Sequence, residues 1–261
     1  MTRRGSHLVM VFPDWHEGVT DDRSAAARAC ALAIHRRLKP ARTVLLGDML
    51  ECAPFSVHGR RGIGEGREQD WLNNEVRPFQ KVLKRIRDNT KELVYIEGNH
   101  EARVERYCAN MGGPMGGLYE LLSPRVLMSQ TCDLTWIPYG GAGISRYEIA
   151  PDLWSFHGWS CAAMAAKKHA EILNGRSGVY GHTHRLDFYK RTVPGTERSQ
   201  TVWSPGCLAP LQPDWCASPT NWSHGISLIY MKNDLSHWTQ YTIEIENGGR
   251  CILPDGKQVA A

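Results

Sequence analysis

A chain of 261 residues with 42% apolar side chains can bury a full hydrophobic core, which excludes an intrinsically disordered protein. The formal charge of +4, from 31 basic and 27 acidic side chains, permits an anionic substrate without demanding nucleic acid, and no apolar stretch approaches membrane-spanning length. The eight cysteines are scattered with no C-x-x-C pair, which argues against a structural zinc knuckle, and the apolar run at 8–12 is too short for a signal peptide. The expectation is a cytoplasmic protein with free thiols and no membrane partner.

The first predicted strand, 8–12, runs into Pro13, Asp14, Trp15 and His16. A helix follows, capped by Asp22 or Ser24, with Ala27, Ala31, Ile34 and Leu38 on one face and Pro40 as its stop. The second strand, 43–46, ends at Gly47, with Asp48 directly after it and Glu51 three residues further on. Residues 58–67 are glycine-rich and carry Arg60 and Arg61; the glycine spacing is not G-x-G-x-x-G, so the stretch reads as a surface loop, with a phosphate-contacting lid as the alternative. The stripe Leu72, Val76, Phe79, Leu83, Ile86 predicts a long helix over 68–87, kinked or split at Pro78. A third strand, 93–96, leads to Gly98, Asn99, His100 and Glu101, then a short helix over 101–110, a glycine joint at 112–117 and a weakly helical 119–128.

Beyond Cys132 short strand-like runs dominate: 134–139, 144–149 and 153–156, the last ending at His157 and Gly158. An alanine-rich helix is expected over 160–173, then a strand at 177–180 ending in Gly181, His182, Thr183 and His184, and strands near 188, 202, 226–231 and 241–245. Helix–strand alternation followed by short strands predicts an α/β protein, two sheets packed face to face with helices outside, as one domain over 1–261. The segment 204–224 holds four prolines and two cysteines between Trp203 and Trp222, with Trp215 inside it. Core packing is the first reading of these tryptophans; an aromatic wall on a substrate-facing loop is the second.

Five apolar runs thus end in Asp, Asn or His, and in open α/β sheets ligands gather beyond the carboxyl ends of strands. Five of the eleven histidines (16, 100, 157, 182 and 184) sit at these tips. A carboxylate at a buried strand tip needs a partner or a cation, so Asp48 is expected to bridge two metal ions. In Asp14-x-His16 and His182-x-His184 the two-residue spacing puts both side chains on one side of an extended chain. Mixed oxygen and imidazole donors suit Mn, Fe, Zn or Ni better than Mg or Ca, with Mn placed first. Two metals about 3.5–4 Å apart clamp the attacking and leaving oxygens of a phosphoryl displacement, so no protein nucleophile is required, and none is signalled.

The ordered set D-x-H (14–16), G-D-x-x-E (47–51), G-N-H-E (98–101), H-G (157–158) and G-H-T-H (181–184) resembles the calcineurin-like metallophosphoesterase superfamily, over roughly two-thirds of the chain. The resemblance implies a four-layer α/β/β/α sandwich of two mixed sheets flanked by helices. It implies one metal on Asp14, His16, Asp48 and His184 and another on Asp48, Asn99, His157 and His182. It implies that His100 is a general acid and that Glu51 stands where some members carry the acid orienting that histidine. A carboxylate beside an imidazole raises its pKa and fixes its tautomer, so either Glu51 or Glu101 suits this task.

Cys52 stands where the Ser/Thr protein phosphatases of the superfamily carry arginine, which points away from that branch. The single helix between the fourth and fifth motifs, the run G-N-H-E-x-R and the late Trp222-x-His224-Gly225 are more like bacterial and phage phosphodiesterases. Arg103 and Arg185 are candidate substrate contacts. The expected activity is P–O hydrolysis by a metal-bridging hydroxide, on a phosphodiester first, nucleotides and nucleic acid included, and a phosphomonoester second. The rival from another class is a non-catalytic scaffold of this fold that binds a partner protein; the complete ligand set argues against it.

Overall fold

The structure, a computed structural model, describes residues 6–56, 71–111, 113, 117, 119–140, 145–196, 198–214 and 216–261. The basic loop at 58–67 with Arg60 and Arg61, most of the 112–117 joint, and Trp215 lie outside the described residues.

The first sheet is built on three parallel strands, β1 (Ser6–Phe12), β2 (Arg42–Leu45) and β3 (Glu92–Ile96). Each reads as a near-continuous apolar run because both of its faces are covered. Along β1, Leu8, Met10 and Phe12 pack toward the helices, whereas Val9 and Val11 pack against the other sheet. β4 (Thr135–Ile137) extends the sheet beside β3. On the other side β10 (Gly225–Lys232) pairs antiparallel with β1, and β11 (Trp238–Glu244) closes the edge. The second sheet has the order β5-β6-β7-β9-β8: β5 (Arg146–Ala150), β6 (Leu153–Phe156), β7 (Ser177–Tyr180), β9 (Ser199–Pro205) and β8 (Leu186–Thr192). It mixes parallel and antiparallel pairs, as the first does.

The layer between the sheets is Val9, Val11, Val44, Leu46, Val94 and Ile96 against Ile149, Leu153, Val179 and Trp203. Helix α1 (Asp22–Leu38) and α2 (Arg77–Arg87) cover the outer face of the first sheet, and the helix Ala165–Ile172 covers that of the second. The fold is therefore α/β, with two mixed sheets face to face between helices. No helix among the described residues is long and apolar enough to cross a membrane.

Several local expectations are corrected. The α1 cap is Asp21, not Asp22 or Ser24: its carboxylate accepts the Ser24 N–H at 2.7 Å while the Ser24 hydroxyl receives the Asp21 N–H, a reciprocal box that ties both ends of the first turn. The split expected at Pro78 is present, through a π-helical turn, Leu72–Val76, because a proline has no N–H and its ring crowds the carbonyl four residues back. The alanine-rich helix is shorter than its composition predicts, Ala165–Ile172, since 160–164 are drawn into the loop after His157. The 119–128 stretch forms two short helices, Tyr119–Leu122 and Pro124–Ser129, broken where Pro124 starts the second. A C-terminal hairpin, Arg250–Ile252 with Gln258–Ala260, was not anticipated.

Replacing Asp21 by Ala leaves the Ser24 amide without its cap. The expected loss is about 1 kcal/mol of unfolding free energy, read from urea denaturation.

Candidate metal centre

The strands β1, β2, β3, β6 and β7 end at one edge of the sandwich, and the loops beyond them are tied together. Trp15 and His16 donate their N–H groups to the Asp48 carbonyl at 3.0 and 2.9 Å, and Leu208 N–H bonds the Asp14 carbonyl at 2.7 Å. His16, Asp48, His182 and His184 have φ of 52°, 51°, 72° and 57°, the left-handed region that costs a side-chain-bearing residue free energy. Such conformations persist only where the surroundings over-determine them, and here they coincide with four of the candidate ligands. The adjoining glycines are required by close approach: a Cβ on Gly98 would lie 2.2 Å from Asp48 Oδ1, and one on Gly181 2.5 Å from Asp14 Oδ2.

Two triads with an aspartate result. Asp14, His16 and His184 form one, and Asp48, His157 and His182 the other, the three donor atoms of each lying within 4.8 Å of one another; a third group of the same closeness, His16, Glu51 and His100, shares His16 with the first. His184 Nε2 is 3.3 Å from Asp14 Oδ1 and 3.1 Å from His16 Nε2. Asp48 Oδ2 lies 3.3 Å from His157 Nε2 and 3.9 Å from His16 Nε2, so this carboxylate stands between the triads. Asn99 Oδ1 joins the second at 2.9 Å from His157 Nε2.

The hydrogen bonds outside the triads set the tautomers. His157 Nδ1 donates to the Leu46 carbonyl at 2.8 Å and His16 Nδ1 to Glu51 Oε2 at 2.5 Å, which turns both Nε2 atoms inward. Inside, imidazole nitrogens face one another and carboxylate and amide oxygens across 2.9–3.9 Å. Such a contact is repulsive unless a proton or a cation lies between. Burial holds the His16 and His182 pKa values down, His182 at about 4, so those rings keep their lone pairs. Burial also lowers that of His157, but Asp48 and Asp14 outweigh it and push it up to about 10. Burial pushes the Asp48 carboxyl up, and His100, His157 and His16 overcome it and hold it well below the usual range. This donor set is able to hold metal ions.

His100 lies beside the triads without being part of the Asp48 or Asp14 group. Its N–H bonds Asp48 Oδ1 at 2.8 Å, its Nδ1 donates to the Glu51 carbonyl at 2.9 Å, and its Nε2 is 3.8 Å from Asp48 Oδ2. Burial lowers its pKa, Asp48 and Glu51 raise it, and the net shift is upward. The Glu51 carboxylate is 3.4 Å from His100 Nδ1 but spends its shorter bond on His16. Glu101 is not directed at His100 at all. It is fully buried and accepts N–H groups of Asp48, Met49, Leu50 and Gly98 at 2.6–3.1 Å and the Tyr95 hydroxyl at 2.8 Å, which fixes the turn that carries Asp48.

Of the two candidate arginines, Arg103 reaches the cluster, with Nη2 2.7 Å from His100 Nε2, whereas Arg185 holds the Cys161 and Ala162 carbonyls. Among the tryptophans, Trp203 is core, stacked on Trp238, and Trp222 lies with its ring 4.2 Å from that of His184. Sequence reasoning missed two buried supports. Arg28 of α1 donates to the carbonyls of Leu208 at 3.0 Å, Val19 at 2.9 Å, His16 at 3.2 Å and Trp15, clamping the Asp14–His16 loop. Its signal was a charge beside Ala27 and Ala31 in the apolar stripe. Glu75, in the π-helical turn, accepts Cys52 N–H at 2.7 Å, and burial pushes its carboxyl up to about 8.

No family model matches this chain, and no curated protein matches it. Similar solved structures include nuclease MPE of Pseudomonas putida, 16% identical over 84% of either chain with a TM-score of 0.37, and TT1561 of Thermus thermophilus, 8% identical over 90% of this chain and 98% of that one, with a TM-score of 0.36. At these TM-scores neither likeness bears on function.

Below about pH 10 a proton occupies the place between His157 and Asp48, and an entering cation must displace it. Metal binding is therefore expected to release protons and to tighten as pH rises toward about 10. Calorimetry in buffers of different ionisation enthalpy measures this; a buffer-independent heat and a pH-independent affinity are the contrary result.

Proposed function

We propose that the protein is a dinuclear metal-dependent phosphoesterase acting on phosphodiesters. The observation that supports it is the pair of adjacent triads with inward imidazole nitrogens and the Asp48 carboxylate between them. Asp14, His16 and His184 would hold one divalent ion, and Asn99, His157 and His182 the other, with Asp48 serving both. Mn is the first choice, because oxygen and nitrogen donors are mixed. When bound, such a pair supplies Lewis acidity toward a phosphoryl oxygen and lowers the pKa of a water toward about 7, which makes a protein nucleophile unnecessary.

The chain's own residues do the rest. Glu51 and the Leu46 carbonyl fix the tautomers of His16 and His157. Glu101 and Arg28 hold the two loops that bring Asp48 and the Asp14–His16 pair together. His100, outside the triads but 3.8 Å from Asp48 Oδ2, is placed to give a proton to the leaving oxygen. The segment 204–224 faces the substrate in this reading, because Trp222 packs on His184 and Leu208 bonds the Asp14 carbonyl. The diester preference is supported by Cys52: it is buried where the phosphatase branch of the resembling superfamily places an arginine.

The test is hydrolysis of bis(p-nitrophenyl) phosphate with added Mn, together with Mn content. Wild-type protein is expected to bind two Mn and turn over; Asp48→Asn is expected to lose at least one Mn and nearly all activity. Activity that survives in Asp48→Asn sinks the mechanism. His100→Ala is expected to keep its Mn and to lose about 10²–10⁴-fold in kcat, the usual size of a general-acid contribution. Loss of Mn in that variant would instead make His100 a ligand.

A further inference from the structure

The helix Ala102–Met111 starts directly after Asn99, His100 and Glu101, and its second residue is Arg103. The Arg103 Nη2 lies 2.7 Å from His100 Nε2, while Nη1 donates to the Glu51 carbonyl at 3.1 Å and stands 3.6 Å from Glu51 Oε1. His100 Nδ1 donates to the same carbonyl, so the lone pair of that ring is on Nε2 and the guanidinium caps it. The Arg103 side chain is 20% exposed, unlike the buried Asp48 and His157 beside it. Arg103 is thus a charged group on the solvent side of the cluster whose Nη2 bond goes to a neutral nitrogen.

A neutral imidazole nitrogen is a weak partner for an arginine. An anionic phosphoryl oxygen forms a charge-assisted bond about twice as strong, and the planar guanidinium matches two such oxygens at once. His100 Nε2 is also 3.8 Å from Asp48 Oδ2, so an ester bound between the triads would stand within reach of the same guanidinium. The neighbouring arginines are otherwise engaged: Arg106 bonds the Asn99 and Ala102 carbonyls, and Arg185 those of Cys161 and Ala162.

Building on the phosphodiesterase reading, we infer that Arg103 is the residue that grips the substrate's phosphoryl group, and that it does so by exchanging its bond to His100 Nε2 for a phosphoryl oxygen. The exchange has a second effect. While Arg103 caps Nε2, His100 is closed to the ester; once the guanidinium turns to the phosphoryl group, Nε2 is open to take a proton from solvent water and pass it to the leaving oxygen. Substrate binding and exposure of His100 are then one event, and an empty site keeps that nitrogen covered.

The test uses the full chain loaded with Mn and inorganic phosphate as the probe, with phosphate affinity measured by calorimetry and Mn content measured on the same samples. Arg103→Ala is expected to retain its Mn, to lose about 10–100-fold in phosphate affinity, the size of a charge-assisted bond, and to regain activity when guanidinium ion is added. His100→Ala is expected to bind phosphate at least as tightly as wild type, because the guanidinium no longer has a competing partner, and to gain nothing from guanidinium. Arg103→Lys, which keeps the charge without the fork, is expected to fall between and serves if Arg103→Ala does not fold. Full Mn and unchanged phosphate affinity in Arg103→Ala or Arg103→Lys overturns this inference alone, leaving Arg103 a structural clamp on His100. Wild-type protein that takes up no Mn overturns the metal reading and this inference with it.

Discussion

The constraint on which the rest depends is a buried carboxylate, Asp48, held among three imidazoles. A lone carboxylate in a protein interior is costly to desolvate, and partners that can only accept hydrogen bonds do not relieve it. The outward nitrogens of His16 and His157 are committed to Glu51 and to the Leu46 carbonyl, so their inward nitrogens are the ones that face Asp48. A proton on His157 and the His100 main-chain N–H relieve the carboxylate here, while His16 and His182 keep lone pairs that a cation could use.

Holding that arrangement takes work from the backbone. Asp48 sits in the left-handed region, and Glu101 compensates by accepting four main-chain N–H groups around it, from Asp48, Met49, Leu50 and Gly98. On the other loop Arg28 does the converse, donating to four carbonyls between Trp15 and Leu208. One buried anion and one buried cation thus clamp the two turns that carry the centre. The four-layer sandwich supplies what neither clamp could: parallel strands whose carboxyl ends come out together at one edge, with both sheets contributing.

Glu51 links the halves of the site. Its carboxylate orients His16, and its carbonyl receives both His100 and Arg103. A displacement of that one residue would disturb a candidate ligand, the candidate acid and the arginine together. The choice between Glu51 and Glu101, open on sequence grounds, divides by geometry: Glu51 faces the imidazoles and Glu101 faces the main chain.

The strand tips were legible in the chain itself, because each is local: a short apolar run, then a candidate ligating side chain within four residues, with a turn glycine between them at Gly47, Gly98 and Gly181. That locality is why the layered α/β fold and the set Asp14, His16, Asp48, Asn99, His157, His182 and His184 could be drawn up before any coordinates, although His157 and Asn99 taken singly read as ordinary core and turn residues. The ends of α1 and of the alanine-rich helix were less legible, since a capping box and a loop contact decide them. The partners of Glu101 and Arg28 were invisible because a main-chain N–H or carbonyl leaves no mark in sequence, and those of Arg28 reach 180 residues away. Trp203 and Trp222 are alike as letters; only packing makes one core and the other a neighbour of His184. Residue types and spacing thus determined which donors this protein owns. Tertiary structure alone decided which nitrogen of each histidine turns inward and where each arginine reaches, because those outcomes rest on contacts between segments that the chain keeps far apart.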